Sequence, residues 1–347
     1  MWQRLIEKAE EEHRLCEGEI AALLSSPAAD ELLAAAADRV RKRYVGDGVH
    51  LRGLIEFSNI CRRSCLYCGL RRENERAERY RLPPEEIVRL ARKARGYGYK
   101  TVVLQGGEDS FWSVDRLSPV LREIRALGLV ITLSIGECSE AEYRALKEAG
   151  ASRFLLRIET TDRELYERLD PGMSFAARCA CLASLRRLGY EVGTGSLVGL
   201  PGQSVASLAR DILFFQALDA DMVGIGPFIP NGETPLGKAA AGDIRLTRRM
   251  VSLVRLLLPE ANIPATTAME TLAHGARASI LRAGANVVMP NVTEGDFRRK
   301  YALYPGKAYV RDTPEECRLS LREELSQMGR FVAEDAGFRR RRSIEDT

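Results

Sequence analysis

From residue 51 onward, short apolar runs alternate with amphipathic segments of 10 to 18 residues, a rhythm that predicts repeated strand–helix units and a parallel sheet. Eight such runs stand at 51–57, 101–104, 130–133, 153–157, 191–198, 222–225, 263–266 and 286–289. The stretches between them carry helix signals with a physical basis. Pro83 and Pro84 preset a first helical turn, Glu85 and Glu86 place carboxylates where the helix dipole is positive, and Gly96 and Gly98 end the segment. Others close on Leu127-Gly128, Ala149-Gly150, Leu188-Gly189 and Ala283-Gly284, where a glycine just past the helix turns the chain into the next strand. Eight units in about 240 residues match an α/β fold of the complete (β/α)8 TIM type, about 250 residues long. The rival, a doubly wound open sheet, lacks a G-x-G-x-x-G after its first strand.

The pattern divides the chain into a helical cap (1–48), the barrel (49–292) and a C-terminal loop, helix and basic tail (293–347). The cap reads as two helices, one with a loose apolar face at Ile6, Ala9 and Leu15, the other Ala- and Leu-rich over 30–40 behind Pro27. Beyond the barrel, Tyr301, Tyr304 and Pro305-Gly306 predict a loop, one more helix follows near 315–332, and Arg339 to Arg342 read as a solvated, frayed end. In such a barrel the functional groups belong just past the C-terminal ends of the strands.

Composition narrows the function. With 45% apolar and 29% charged residues in 347, fibrous and disordered classes are excluded. A net charge of +4 gives no argument for nucleic acid. No apolar stretch is long enough for a membrane span, and residues 1–13 are dense in Glu and Arg, so a cytoplasmic protein without a secretory leader is expected. In that reducing setting the eight cysteines point to metal or catalysis rather than to disulfides.

Three of them crowd into Cys61-Arg-Arg-Ser-Cys65-Leu-Tyr-Cys68, just past the first strand. Thiolates at this spacing wrap a polynuclear iron–sulfur cluster, and three thiolates serve three irons, so a cubane keeps its fourth iron open to a small molecule. Structural zinc is the alternative, but it needs a fourth ligand, and His13, His50 and His274 show no zinc-like spacing. Cys16, Cys179 and Cys181 fall on predicted helices and read as small buried apolar residues, while Cys138 has no assigned role.

The cysteine motif, with Tyr67 before its last cysteine and Gly106-Gly107-Glu108 after the second strand, resembles the radical S-adenosylmethionine (radical SAM) superfamily. Wider phrases are similar to the HydE-type [FeFe]-hydrogenase maturases: Ile-Glu-Phe-Ser-Asn (55–59), Val-Leu-Gln-Gly-Gly-Glu-Asp (103–109), Leu-Leu-Arg-Ile-Glu-Thr (155–160), Val-Gly-Leu-Pro-Gly-Gln (198–203), Gly-Ile-Gly-Pro-Phe-Ile-Pro (224–230) and Pro-Ala-Thr-Thr-Ala-Met (264–269). Biotin synthases and methylornithine synthases share the cysteine loop and barrel. The resemblance implies one [4Fe-4S] cluster on Cys61, Cys65 and Cys68, and SAM cleaved reductively to a 5′-deoxyadenosyl radical. It implies a small organometallic substrate, a cysteine-ligated Fe(CO)2CN species, with the HydG and HydF maturases as partners. A lysine rearrangement to methylornithine and a non-catalytic iron–sulfur carrier are the rival functions.

By the same resemblance Tyr67, Gly106, Gly107, Glu108, Ser134, Glu159 and Arg178 meet SAM. Paired glycines admit close backbone approach, and a guanidinium suits a carboxylate. Gln105, Thr132, Arg153 and Arg157 would line the substrate cavity, together with Thr266, Thr267, Met289, Tyr301 and Tyr304. Arg157 and Glu159 stand two apart on one strand and so share a face, which an ion pair also explains. In one departure, some HydE proteins carry three more C-terminal cysteines for a second cluster, whereas this chain has only Cys317 there, so no such cluster is expected.

Overall fold

The computed structural model describes residues 2–308 and 314–339. Three helices precede the first strand: α1 (Trp2–Glu12), α2 (Glu17–Ser25) and α3 (Asp30–Val45). That is one more than the pattern predicts, because Pro27 opens a 3-10 turn (Pro27–Ala29) that separates α2 from α3. Cys16, expected to be buried, sits exposed at the N-cap of α2.

The barrel then runs β1 (Gly48–Ser58), α4 (Pro84–Gly96), β2 (Thr101–Gly106), α5 (Val114–Ala126), β3 (Val130–Ser134), α6 (Glu140–Ala149) and β4 (Ala151–Leu155). It continues with α7 (Arg163–Leu169), α8 (Phe175–Arg187), β5 (Glu191–Thr194), β6 (Leu197–Val198), α9 (Val205–Ala217), β7 (Met222–Val223), β8 (Gly226–Pro227) and α10 (Ile244–Leu257). Last come α11 (Thr267–Leu272), α12 (Ala276–Arg282), β9 (Val287–Val288), α13 (Gly295–Lys300), α14 (Pro314–Gln327) and β10 (Phe331–Val332).

The parallel order β1-β2-β3-β4-β5-β7 curls round, and β9 returns to the free side of β1 at His50↔Val287 and Leu51↔Val288. The expected complete barrel is an overstatement. Between β7 and β9 the regular ladder gives way to isolated bridges, Met222↔Asn262 and Pro264↔Val287. The strand predicted over 263–266 does not form, because Pro264 has no N–H to give to a ladder. The strand predicted over 153–157 starts two residues earlier, directly after Gly150, and leaves Arg157 and Glu159 beyond the end of β4.

Two elements were not legible in the pattern. The helix predicted over 315–332 stops at Gln327, Gly329 takes a left-handed φ of 68°, and the chain then adds β10 beside β1 at Gly48↔Phe331. Residues 333–339 follow across the end of the barrel opposite the cysteine loop. There Arg339, expected in a frayed tail, is held by Asp219 at 2.6 Å. Arg340, Arg341 and Arg342 lie outside the described residues. Among those described, no single helix is long and apolar enough to cross a membrane.

Candidate functional site

β1 ends at Ser58, and the chain leaves the sheet in an irregular loop carrying the three cysteines. Backbone bonds pin that loop from three directions. Arg62 N–H donates to the Glu108 carbonyl after β2 (3.0 Å), Leu66 N–H to the Leu169 carbonyl at the end of α7 (2.8 Å), and Gly69 N–H to the Leu303 carbonyl beyond α13 (2.9 Å). Cys61, Cys65 and Cys68 are half-buried free thiols. Burial pushes Cys61 up, Cys65 well up and Cys68 up to about 12, and the neighbouring thiols of the loop raise Cys65 and Cys68 further. Thiols that resist ionisation together are a donor set whose thiolates need positive charge beside them, which iron supplies. Among the described residues no three His, Cys, Asp or Glu side chains converge on a single ion. Three cysteine thiols on one loop are the donor set of a cluster that keeps one iron without a protein ligand.

The glycine pair has a sharper structural reason than close approach to a ligand. A Cβ on Gly107 would stand 2.3 Å from the Ile60 carbonyl oxygen and 2.7 Å from Cys61 Cβ, so only glycine lets the β2 loop rest on the cysteine loop. Gly136, with φ 83°, leaves room in the same way for the Glu108 side chain.

Glu108 ties three segments of the chain together. Its carboxylate pairs with Arg62 (3.2 Å) and Arg63 and accepts the Glu137 N–H (3.1 Å). Glu137 in turn pairs with Arg63 (2.9 Å) and with Arg178 of α8 (2.7 Å), and Arg178 also donates to the Arg157 carbonyl. Arg178 is therefore a buried tie between helix, cysteine loop and strand ends rather than a surface arginine. Tyr67 donates its hydroxyl to buried Asp170 at 2.8 Å.

These braces surround a cavity of about 380 Å³ at the C-terminal ends of the strands, with Tyr67 and Cys68 in its wall. Gln105, Gly106, Ser134, Arg157 and Glu159 line one part of it; Thr266, Thr267, Met289, Tyr301 and Tyr304 line another. Gln105 donates to the Tyr301 hydroxyl at 3.2 Å. Arg157 Nη2 stands 3.1 Å from Glu159 Oε2, and burial raises the Glu159 carboxyl while that guanidinium pulls it down. Glu159 takes φ 61°, a conformation that costs about 1–3 kcal/mol for a non-glycine residue.

Two expected cavity residues lie elsewhere. Arg153 faces the opposite end of the barrel, bound to Glu191, Thr101 Oγ1 (3.0 Å) and the Ala336 carbonyl (2.9 Å), with its guanidinium 4.2 Å from the Phe338 ring centroid. It is the middle residue of β4, and period two carries only Leu155 and Arg157 up to the cavity. Thr132 is buried within β3, its hydroxyl unpartnered, and does not line the cavity.

Glu56 and Lys307 were missed and do line it. Glu56 is 1% exposed and is held by Lys307 and by Asn291 Nδ2 at 2.7 Å. The signal was present: Arg52 and Glu56 interrupt an otherwise apolar strand at period two, and a charge there is either paired or functional.

Residues 55–215 match the family model described as the radical SAM superfamily. The chain is 50% identical over 312 residues to the [FeFe] hydrogenase maturase subunit HydE of Thermotoga maritima, with 90% of each chain covered. It is 33% identical to a 3-methylornithine synthase of Methanosarcina acetivorans, covering 96% of this chain and 95% of that one. A crystal structure of methylornithine synthase superposes with a TM-score of 0.83 at 30% identity, over 95% of this chain and 97% of the other.

Proposed function

The chain belongs to the radical SAM superfamily, and within it to the HydE-type [FeFe]-hydrogenase maturases, and from that premise we propose that it acts on a small cysteine-ligated iron carbonyl cyanide species during assembly of the hydrogenase H-cluster. It is an enzyme that uses one [4Fe-4S] cluster and SAM. Cys61, Cys65 and Cys68 would hold the cluster, which when bound would supply the electron for reductive cleavage of SAM.

The observation that carries the reading is that Tyr67 and Cys68 stand in the cavity wall, so a cluster on the cysteine loop would border the cavity. Tyr67, oriented by Asp170, and the Ser134, Arg157 and Glu159 side chains would bind SAM from the strand ends. Thr266, Thr267, Met289, Tyr301 and Tyr304 would position the substrate across the cavity and exclude water from it. Arg178 and Glu137 would act by holding the strand-end loops. HydG as the source of the substrate, HydF as the acceptor of the product, and a reducing cytoplasm compatible with eight free cysteines complete the proposal.

One observation favours the lysine rearrangement of the methylornithine synthases. Glu56 is a cavity carboxylate that could receive an ε-ammonium. Its charge is already matched by Lys307, which favours the maturase reading. With the protein reduced under strict anaerobiosis and supplied with SAM, mass spectrometry should show consumption of a cysteine-ligated iron carbonyl cyanide complex and unchanged lysine. Methylornithine formed from lysine would overturn the maturase reading, and failure to form 5′-deoxyadenosine at all would favour an iron–sulfur carrier.

A further inference from the structure

The backbone at Glu159 is fastened from behind the sheet by a residue outside the cavity. The Thr160 N–H folds back on the Ile158 carbonyl at 2.8 Å, so Glu159, at φ 61°, is the centre of a rare, strained three-residue turn. Such a turn persists only where its surroundings hold both ends. On the sheet side, Glu159 N–H donates to the Gly195 carbonyl (3.0 Å) and the Glu159 carbonyl accepts from Leu197 N–H (3.2 Å). On the outgoing side, Asp211 Oδ1 of α9 accepts both the N–H (2.7 Å) and the hydroxyl (2.6 Å) of Thr161.

Asp211 is fully buried at 0% exposure, and it is not part of the cavity wall. Besides Thr161, the Ser196 hydroxyl and the Arg210 charge favour its charged form, and Ser196 is the residue paired with Glu159 in an isolated bridge. A buried carboxylate thus grips one residue after the strained turn and faces the residue paired with it. Relaxation of the turn would rotate the Glu159 carboxylate away from the cavity, because a change of φ swings the side chain with the backbone.

We propose that Asp211 is a positioning residue for SAM binding, holding the Thr161 side of the turn so that the Glu159 carboxylate faces the cavity. The inference rests on the proposed contact between Glu159 and SAM. Four variants test it in the anaerobically reconstituted protein: Glu159→Ala, Asp211→Ala, Asp211→Asn and the double variant Asp211→Ala/Glu159→Ala. The readouts are SAM affinity by equilibrium dialysis without reductant, and iron and sulfide content.

Asp211→Ala should weaken SAM binding roughly tenfold, the size of one lost charge-assisted hydrogen bond, with cluster content unchanged. Asp211→Asn, whose amide oxygen accepts the same two hydrogen bonds, should restore affinity. The double variant should bind no worse than Glu159→Ala alone, since the clamp acts through Glu159. Wild-type affinity in Asp211→Ala, or losses that add in full in the double variant, would overturn the proposal. Unchanged affinity in Glu159→Ala would remove the premise, and the proposal with it. Should Asp211→Ala fail to fold, Thr161→Val, which deletes the hydroxyl bond alone, enters the same cycle and is read the same way.

Discussion

At the scale of single residues, close approach and burial decide what the site tolerates. Gly107 is the clearest case, because a methyl group there collides with backbone and not with a movable side chain. Gly107→Ala should therefore push the cysteine loop off the β2 loop, and iron and sulfide per chain after anaerobic reconstitution should fall by half or more; full cluster content would show that the loop gives way at no cost. Asp211 makes a second prediction, about pH. Burial pushes its carboxyl up to about 6 from 3.8, against the hydrogen bonds from Thr161. A carboxyl with a raised folded pKa holds its proton more tightly in the fold, so its contribution is present below the unfolded value and is lost as pH rises from about 4 to about 6. The rise of about two units bounds the effect at about 3 kcal/mol. Wild-type stability minus that of Asp211→Asn, from urea unfolding, should fall across this window and level off above pH 7, whereas a difference flat with pH would mean that Asp211 titrates normally.

At the scale of elements, the stretch from β10 to Arg339 behaves as a stopper for the lower end of the barrel. Buried Arg52 and Arg153 are met there by the Gly337 and Ala336 carbonyls, at 3.2 and 2.9 Å, and His50 by Asp335 at 2.9 Å. Burial, helped by the neighbouring Arg153 charge, lowers Arg52 to about 9. A chain ending at Arg330 should lose about 2–4 kcal/mol of stability in urea, since hydrogen bonds to charged groups contribute about 1.5–3 kcal/mol each and water replaces them only in part. An unchanged midpoint would reduce this segment to a passive tail. Sequence pattern missed it for a physical reason: a two-residue strand has no period to read, and its pairing with β1 joins positions nearly the whole chain apart.

At the scale of the whole molecule, the C-terminal segment also closes the cavity, since Lys307 reaches Glu56 from the far end of the chain. Lys307→Met should leave a nearly fully buried carboxylate without its cation, a change of about 3–5 kcal/mol, and Glu56→Gln in the same chain should recover most of the loss; thermal unfolding of the two variants checks this. The same dependence on distant parts separates what the sequence by itself determined from what the tertiary structure decided. The alternating pattern was enough for the parallel α/β sheet, because period and glycine punctuation are local properties. The cysteine spacing was enough to single out the loop after β1, because eight consecutive residues carry all three thiols. Phrases at strand ends located most of the cavity wall, since each is a short run fixed to one strand. Beyond that, local information runs out. Which groups a strand-end charge meets within the chain depends on which other loop reaches it: Glu108 is paired with Arg62 and Arg63, and Arg178 with Glu137. Arg153 changed ends of the barrel because β4 begins two residues earlier than its apolar run suggests. Glu56, Lys307 and Asp211 gain their meaning only from partners 251, 251 and 50 residues away, and such partnerships are set by packing, not by spacing along the chain.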